Sequence, residues 1–196
     1  MTIEEVLKHF PEQPVPTIIE KLFRKHADKG FVDFEVLAHD PTSFNQLLPN
    51  SIHDQFILIG QHGSGSLIAI WKEKKLPADQ LPLVWIDSEG TPINVFANNF
   101  AEFLTLLPYD TGFIYDLISK WEYFANNPNS NPENYYDSKM LKEILEENRI
   151  NYSSLAEYEK WLHDEMVLMT ATNPVKMVGD AIRNHPGMIE LLQKSK

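Results

Sequence analysis

Four short apolar segments between residues 56 and 97 constrain the fold more than any other feature of this sequence. They read QFILIG, SLIAIW, LPLVWID and PINVFA, with polar stretches between them. Their length and their content of β-branched and aromatic residues favour strands. The first two are apolar at nearly every position, so we expect packing partners on both faces of the sheet that they form.

The connection between the first two segments, GQHGSGS, contains three glycines and raises the question of a nucleotide-binding loop. A P-loop needs a lysine and then Ser or Thr after its second glycine, but Ser66 and Leu67 stand there. A dinucleotide-binding loop has the order G-x-G-x-x-G and opens a helix, whereas this order is reversed and a strand-like segment follows. Ser64 has a glycine directly on either side, so G-x-S-x-G is absent too. We predict a β-hairpin instead, and assign structural turn roles to Gly60, Gly63, Gly65 and Gly90.

A helix is predicted before these strands, in PTIIEKLFRKHADKG, from the capping-box pair Thr17 and Glu20 and a stop at Gly30. FVDFEVLA then alternates apolar and acidic residues like a half-buried strand. Later segments have helical spacing, apart from the polar break NNPNSNPENYYD. Strands before helices predict an α+β fold. The expected division is an α+β domain over residues 1–110 and a helical C-terminal extension over 111–196, packed on the first part.

Helix starts are also predicted from capping residues in the second half of the chain. Asn99 and Glu102, and likewise Ser154 and Glu157, have capping-box spacing. Asn173 stands before a proline at a first helical position, as an N-cap residue does.

Charge is distributed unevenly along the chain. The formal net charge is −11, and it divides into zero for residues 1–30, −7 for 31–110 and −4 for 111–196. An acidic surface repels nucleic-acid phosphates and attracts basic partners, although solubility alone explains it equally well. We therefore expect no binding to nucleic acid.

The composition also bears on compartment and chemistry. The chain has no cysteine, which excludes disulfides, thiolate metal sites and cysteine nucleophiles. Its uncharged apolar runs are far shorter than the ~20 residues that span a bilayer, and its first residues lack the apolar core of a signal peptide. We expect a cytoplasmic protein that does not enter membranes.

Seven histidines invite a search for a metal site, but none lies in H-x-H or H-E-x-x-H. Glu159 and His163 have the spacing of two ligands on one helical face, and also that of a hydrogen-bonded surface pair, which we favour. We therefore predict neither a metal nor a cofactor.

Two further pairs of residues allow two interpretations each. Asp87 and Glu89 in the turn DSEG can be an acid–base pair or a solvated hairpin tip, and the second is favoured because no nucleophile or oxyanion donor stands nearby. Trp71 and Trp85 are typical of a core, whereas exposure would make them interface anchors.

Three stretches, FILIGQHGSGSLIAIW, LPLVWIDSEG and NVFANNFAEFLTLL, together resemble the SUKH superfamily, which includes fungal cell-wall regulators and bacterial toxin-immunity proteins. The matching positions are Gly60, Gly63, Gly65, Leu67, Ile68, Pro82, Val84, Asp87, Phe100, Phe103, Leu104 and Leu107. The family's N-terminal motif, LP-x-x-Y-x-x-FL with a glycine pair, is missing. The resemblance implies a mostly antiparallel or mixed sheet flanked by helices. It also implies a non-catalytic function in binding proteins, typically a toxin, and it specifies no binding residues.

Three functional hypotheses follow. The first is an immunity protein without catalytic residues, whose acidic sheet region contacts a basic toxin domain, possibly a nuclease, through Asp79, Asp87 and Glu89. The second is a small hydrolase, favoured if a cleft holds His53 or His62 beside two carboxylates. The third is a regulatory or scaffold protein that binds through its helical half.

Overall fold

One antiparallel sheet of five strands forms the centre of the fold. The computed structural model describes residues 7, 10, 14–26, 32–37, 40–125, 133 and 135–194. The strands are β1 (Phe34–Val36), β2 (Phe56–His62), β3 (Leu67–Trp71), β4 (Leu83–Ile86) and β5 (Ile93–Ala97). Each strand pairs with its neighbours in sequence, in the order β1-β2-β3-β4-β5.

Seven α-helices lie wholly within the described residues. They are α1 (Thr17–His26), α2 (Phe100–Leu106), α3 (Thr111–Ala125), α4 (Ser138–Asn151), α5 (Leu155–Asp164), α6 (Pro174–Asn184) and α7 (Gly187–Lys194). Short 3-10 turns span Pro41–Phe44, Asn50–Gln55, Ala78–Gln80 and Leu107–Tyr109.

The predicted α+β fold with a helical C-terminal half is confirmed. The predicted stop at Gly30, and most of the polar break after α3, lie outside the described residues. No helix in the described ranges is both long enough and apolar enough to cross a bilayer.

Both faces of the sheet are buried, as the apolar β2 and β3 segments predict. Alternate side chains point to opposite faces, so each face packs against its own hydrophobic cluster. One cluster joins the sheet to α1–α6 and includes Ile19, Leu22, Ile59, Ile68, Trp85, Phe96, Phe103, Leu117 and Val178. The other joins it to the 3-10 turns before β2 and to α6 and α7, and includes Phe44, Ile52, Leu58, Ala69, Val84, Ala181 and Met188.

The helical half closes the open edge of the sheet. Helix α6 lies along β5. Its Val178 joins one cluster and its Ala181 joins the other. An uncovered edge strand presents unpaired backbone groups to other chains, and α6 covers this one. The helices after residue 110 therefore pack on the sheet and contribute to both layers of core.

Three helices start directly after their predicted capping residues, and two of the three side chains form the capping hydrogen bond. The side chain of Asn99 accepts from the Glu102 N–H at 2.9 Å, and that of Asn173 accepts from the Lys176 N–H at 3.0 Å. Ser154 stands at the N-cap position of α5, as predicted, but its side chain makes no capping hydrogen bond. Its hydroxyl instead accepts the backbone N–H of Val32 at 3.5 Å, a long-range contact that local spacing does not reveal.

The hairpin predicted for GQHGSGS is present, and its glycines differ in what they do. Gly65 and Gly90 have φ values of 90° and 87°, which side chains other than glycine rarely adopt. Gly60 lies inside β2, where a Cβ atom would approach the Phe34 ring to 2.4 Å. Gly63 has open space around it and no positive φ, so the turn does not require glycine there.

Candidate functional site

Two hairpin turns and the start of a helix meet at one end of the sheet and enclose a cleft. The turns are those between β2 and β3 and between β4 and β5, and the helix is α3. The cleft has a volume of about 300 Å³. We call it the turn-end cleft, and its lining residues are His62, Ser64, Trp85, Asp87, Ser88, Glu89, Gly112 and Tyr115.

Aromatic rings form one wall of the turn-end cleft. The ring centroid of Trp85 lies 5.8 Å from that of Tyr115 and 5.7 Å from that of His62. Trp85 is 1% exposed and Trp71 is 4% exposed, so both are core residues, as is typical of such strands. Tyr115, near the start of α3, is 39% exposed and presents its ring to solvent beside Trp85.

Asp87 is held rigidly at the base of the cleft. It is 8% exposed, so the interpretation as a solvated tip is wrong for this residue, although it holds for the exposed Glu89. The carboxylate of Asp87 accepts from the Ser66 hydroxyl at 3.1 Å, the Trp85 indole N–H at 3.5 Å and the Glu89 backbone N–H at 2.9 Å. Ser66 also accepts the Ser88 N–H at 3.2 Å, which ties the two turns together.

His62 lies between a carboxylate and a serine. Its Nε2 lies 3.1 Å from Asp33 Oδ2, and its Nδ1 lies 2.7 Å from Ser64 Oγ. The backbone N–H of Ser64 also donates to Nδ1, at 3.2 Å. Both ring nitrogens of His62 therefore have polar partners, a carboxylate at Nε2 and a serine at Nδ1. The hydrolase hypothesis is favoured by a cleft that holds a histidine beside two carboxylates. His62, with Asp33 and Asp87 nearby, meets that condition.

The start of α3 brings a further carboxylate to the same place. Asp110 caps the helix, because its Oδ1 accepts the Phe113 N–H at 2.7 Å, and Asp33 Oδ1 accepts the Thr111 N–H at 3.0 Å. Burial raises the pKa of Asp110 above its ordinary value of 3.8, and the negative charge of Asp33 raises it further. The hydrogen bond from the Phe113 N–H and the electrostatic effect of nearby His62 both lower the pKa of Asp110.

Positive charges on the helices are largely neutralised by neighbours on the same helix. Such pairs, three or four residues apart, include Arg24–Glu20, Lys120–Asp116, Lys139–Glu143, Lys142–Glu146, Lys160–Asp164, Lys176–Asp180 and Lys194–Glu190. In contrast, no lysine or arginine among the described residues forms a salt bridge with Asp33, Asp87, Glu89 or Asp110. The carboxylates in and beside the turn-end cleft are therefore not neutralised by a described lysine or arginine.

The three predicted contact residues do not lie together. Asp87 and Glu89 both line the turn-end cleft. Asp79 lies in the 3-10 turn between β3 and β4, which is at the opposite end of the sheet. His53, named with the hydrolase hypothesis, is also outside the cleft: its Nε2 is 2.9 Å from the Leu48 carbonyl oxygen.

The pair predicted on the helix surface does not form. Glu159 binds the guanidinium of Arg149 at 2.7 Å and the hydroxyl of Thr170 at 3.1 Å, whereas His163 lies against Asp164. Neither the ligand interpretation nor the hydrogen-bonded pair is therefore correct. Within the described ranges, no three His, Asp or Glu side chains are placed to hold a metal ion.

Three residues of the site were not singled out from the sequence. Asp110 stands directly before Thr111 and Gly112 at a helix start, and an Asp at that position is an N-cap signal that was available. Asp33 and Tyr115 have no such signal, because their roles depend on β1 and α3 meeting the hairpin turns in space.

No family model matches this chain, and no curated protein or solved structure matches it either. The SUKH resemblance stays a prediction.

Proposed function

We propose that this chain is a non-catalytic, cytoplasmic protein-binding module whose turn-end cleft binds a basic protein. Following the SUKH resemblance, that partner is a toxin domain that the chain neutralises. The observation that supports this proposal best is the unbalanced charge of the cleft. Asp87 and Glu89 line the cleft, and Asp33 and Asp110 lie beside it at His62 and the start of α3. None of these four has a described lysine or arginine as a salt-bridge partner, while acidic side chains on the helices have cationic neighbours.

A basic partner is the class of protein that this charge selects. Opposite potentials on two surfaces accelerate their encounter and exclude partners of like charge. Nuclease domains carry positive charge where they hold phosphates, so a nuclease toxin fits the proposal. The same carboxylates repel nucleic acid itself.

Rigidity of the cleft supports binding further. Asp87 and Trp85 are almost fully buried and hydrogen-bonded to each other, so little conformational freedom remains to be lost when a partner docks. Preorganisation of this kind raises affinity by lowering the entropic cost of association.

The test is calorimetry with the protein encoded by the neighbouring gene, at several salt concentrations. We expect binding that weakens as salt rises, and weaker binding by Glu89→Gln. The matched control is Glu190→Gln, which removes the same charge from an exposed helix residue that pairs with Lys194. An affinity that changes neither with salt concentration nor with Glu89→Gln would contradict the electrostatic basis of the proposal.

A hydrolase is the second candidate, supported by the order Asp33, His62, Ser64. A carboxylate, an imidazole and a hydroxyl in this order match the arrangement that activates a serine nucleophile. The turn itself weighs against it, because the N–H groups of Ser64 and Gly65 are both hydrogen-bonded to His62 and unavailable to an oxyanion. Labelling by a fluorophosphonate probe that disappears in Ser64→Ala would establish the hydrolase; an unlabelled wild-type protein would reject it.

The helical half is the third candidate surface. Ile150, Val167 and Met169 are 83%, 86% and 74% exposed, and such side chains suit a partner interface. Deleting this half would remove core residues, so single substitutions are the appropriate test. Val167→Ser and Met169→Ser should reduce partner binding if this surface is used, and leave it unchanged if the turn-end cleft is used.

A further inference from the structure

We propose that the turn-end cleft receives one arginine side chain of the partner, with its guanidinium between the exposed Tyr115 ring and the carboxylates. This inference rests on the proposed function, because it identifies the group that the cleft would recognise in a basic protein. It is nevertheless testable without the partner, because an isolated arginine derivative presents the same group.

The size of the cleft suits a single side chain. Its volume of about 300 Å³ is at the lower end for ligand-binding pockets, and it lies between two tight turns and the start of α3. A partner therefore contributes one inserted group there, and the rest of its surface contacts the rim.

The Tyr115 ring, which packs against the buried Trp85, provides an exposed face for a planar cation. A guanidinium stacks on aromatic rings, and the attraction strengthens when water is excluded. The same chain already uses this contact elsewhere: the guanidinium of Arg183 lies 4.7 Å from the centroid of the Trp121 ring. The Tyr115 ring differs in being exposed beside a cleft that contains no described lysine or arginine.

Two carboxylates supply negative charge, one at the base of the cleft and one at its rim. Asp87 is fixed at the base by its three hydrogen bonds, while the exposed Glu89 belongs to the rim of the same turn. Arginine forms two parallel hydrogen bonds with a carboxylate, and the Glu89 carboxylate has no salt-bridge partner within the described ranges.

The helix start does not turn the cleft into an anion site. The N–H groups of Thr111 and Phe113, which would otherwise bind an anion, donate to Asp33 and Asp110. The positive end of the α3 dipole is therefore already neutralised by two carboxylates. The cleft remains open to a cation.

The experiment titrates the full chain with N-acetyl-arginine methylamide and follows backbone and indole N–H signals by NMR. N-acetyl-citrulline methylamide, which has nearly the same shape without the charge, is the control ligand. We expect saturable shifts at the Trp85 indole and at residues 62–66 and 87–90 with the arginine derivative only. Glu89→Gln and Tyr115→Ala should each weaken binding about fivefold, whereas Tyr115→Phe and Glu190→Gln should not change it.

The outcomes separate this inference from the proposed function. Equal shifts with the citrulline derivative, or no shift at Trp85, would overturn the arginine assignment even if a basic protein binds elsewhere. Specific binding of the arginine derivative without binding of any basic partner would support the cleft assignment and reject the proposed function. Glu89→Gln alters only an exposed side chain and decides the question if Tyr115→Ala does not fold.

Discussion

Adding one methyl group at Gly60 is expected to destabilise the sheet strongly. A Cβ atom there would lie 2.4 Å from two carbons of the Phe34 ring and 2.5 Å from the backbone oxygen of Glu35. Real Cβ atoms do not approach other atoms so closely, so something must move. Phe34 is 1% exposed, and its ring centroid lies 5.4 Å from that of Phe103, so the ring has little room to move. The Glu35 oxygen belongs to the backbone of β1, which pairs with β2 at Gly60.

The magnitude follows from comparison with other overpacked cores. Inserting a methyl or methylene group where no space exists costs about 1–3 kcal/mol. Because the clash at Gly60 involves both a confined ring and a backbone atom, we expect the upper end, about 3 kcal/mol. In a chain of this size, 1 kcal/mol lowers Tm by about 2–4 °C, so Gly60→Ala should lower it by about 6–12 °C.

Two neighbouring glycines provide matched comparisons in the same hairpin. Gly65 has space for a Cβ atom but a φ of 90°, and Gly65→Ala should cost about 1–2 kcal/mol through backbone strain alone. Gly63 has neither constraint, and Gly63→Ala should stay within about 0.5 kcal/mol of the wild type.

Urea unfolding followed by far-UV circular dichroism measures all three variants. The expected order of destabilisation is Gly60, then Gly65, then Gly63, with an unchanged dependence on urea concentration. A Gly60→Ala protein that unfolds at the wild-type midpoint would refute the close-approach argument. A Gly63→Ala protein as unstable as Gly65→Ala would refute the distinction drawn between the two turn glycines.

Further predictions concern single hydrogen bonds and one buried charge. Asn173→Ala removes the N-cap of α6 and should cost about 1 kcal/mol in thermal or urea unfolding. Tyr109→Phe removes the hydrogen bond to the Ala171 carbonyl oxygen and should cost about 1–2 kcal/mol, with Tyr115→Phe as the unaffected control. The raised pKa of Asp110 makes the folded chain bind more protons than the unfolded chain between pH 3.8 and that higher value, so this residue's contribution to stability falls as pH rises through this window. Asp110→Asn should abolish that part of the pH dependence in urea unfolding at a series of pH values; an unchanged pH profile would contradict the assignment.

The strands and most helices were predictable because their signals are local. β2 and β3 follow from apolar runs of the right length, and α2 and α6 from Asn99 and Asn173 at their starts. Ser154 shows where local spacing fails. Its hydroxyl has a competing partner in the Val32 N–H, which is distant in sequence and near in space.

The separation of Asp79 from Asp87 was predictable in principle. In an antiparallel sheet with neighbouring strands connected in order, successive connections lie at opposite ends. The β3–β4 connection that holds Asp79 therefore cannot lie beside the β4–β5 turn that holds Asp87. The convergence of Asp33 and α3 on the cleft was not predictable in this way, because no pairing rule connects a residue before β1 to the start of a helix.

Asp110 links the stability of the fold to the proposed binding. Asn caps helices as well as Asp does and carries no charge, so capping alone does not require a carboxyl group at this position. Burial and the neighbouring Asp33 both disfavour its ionised form. A role in the turn-end cleft explains this cost in stability, because the negative charge of Asp110 adds to the potential that attracts a cation. On this reasoning Asp110→Asn is at least as stable as the wild type at neutral pH and binds the arginine derivative more weakly. A variant that gains stability while keeping full affinity would separate the helix cap from the cleft.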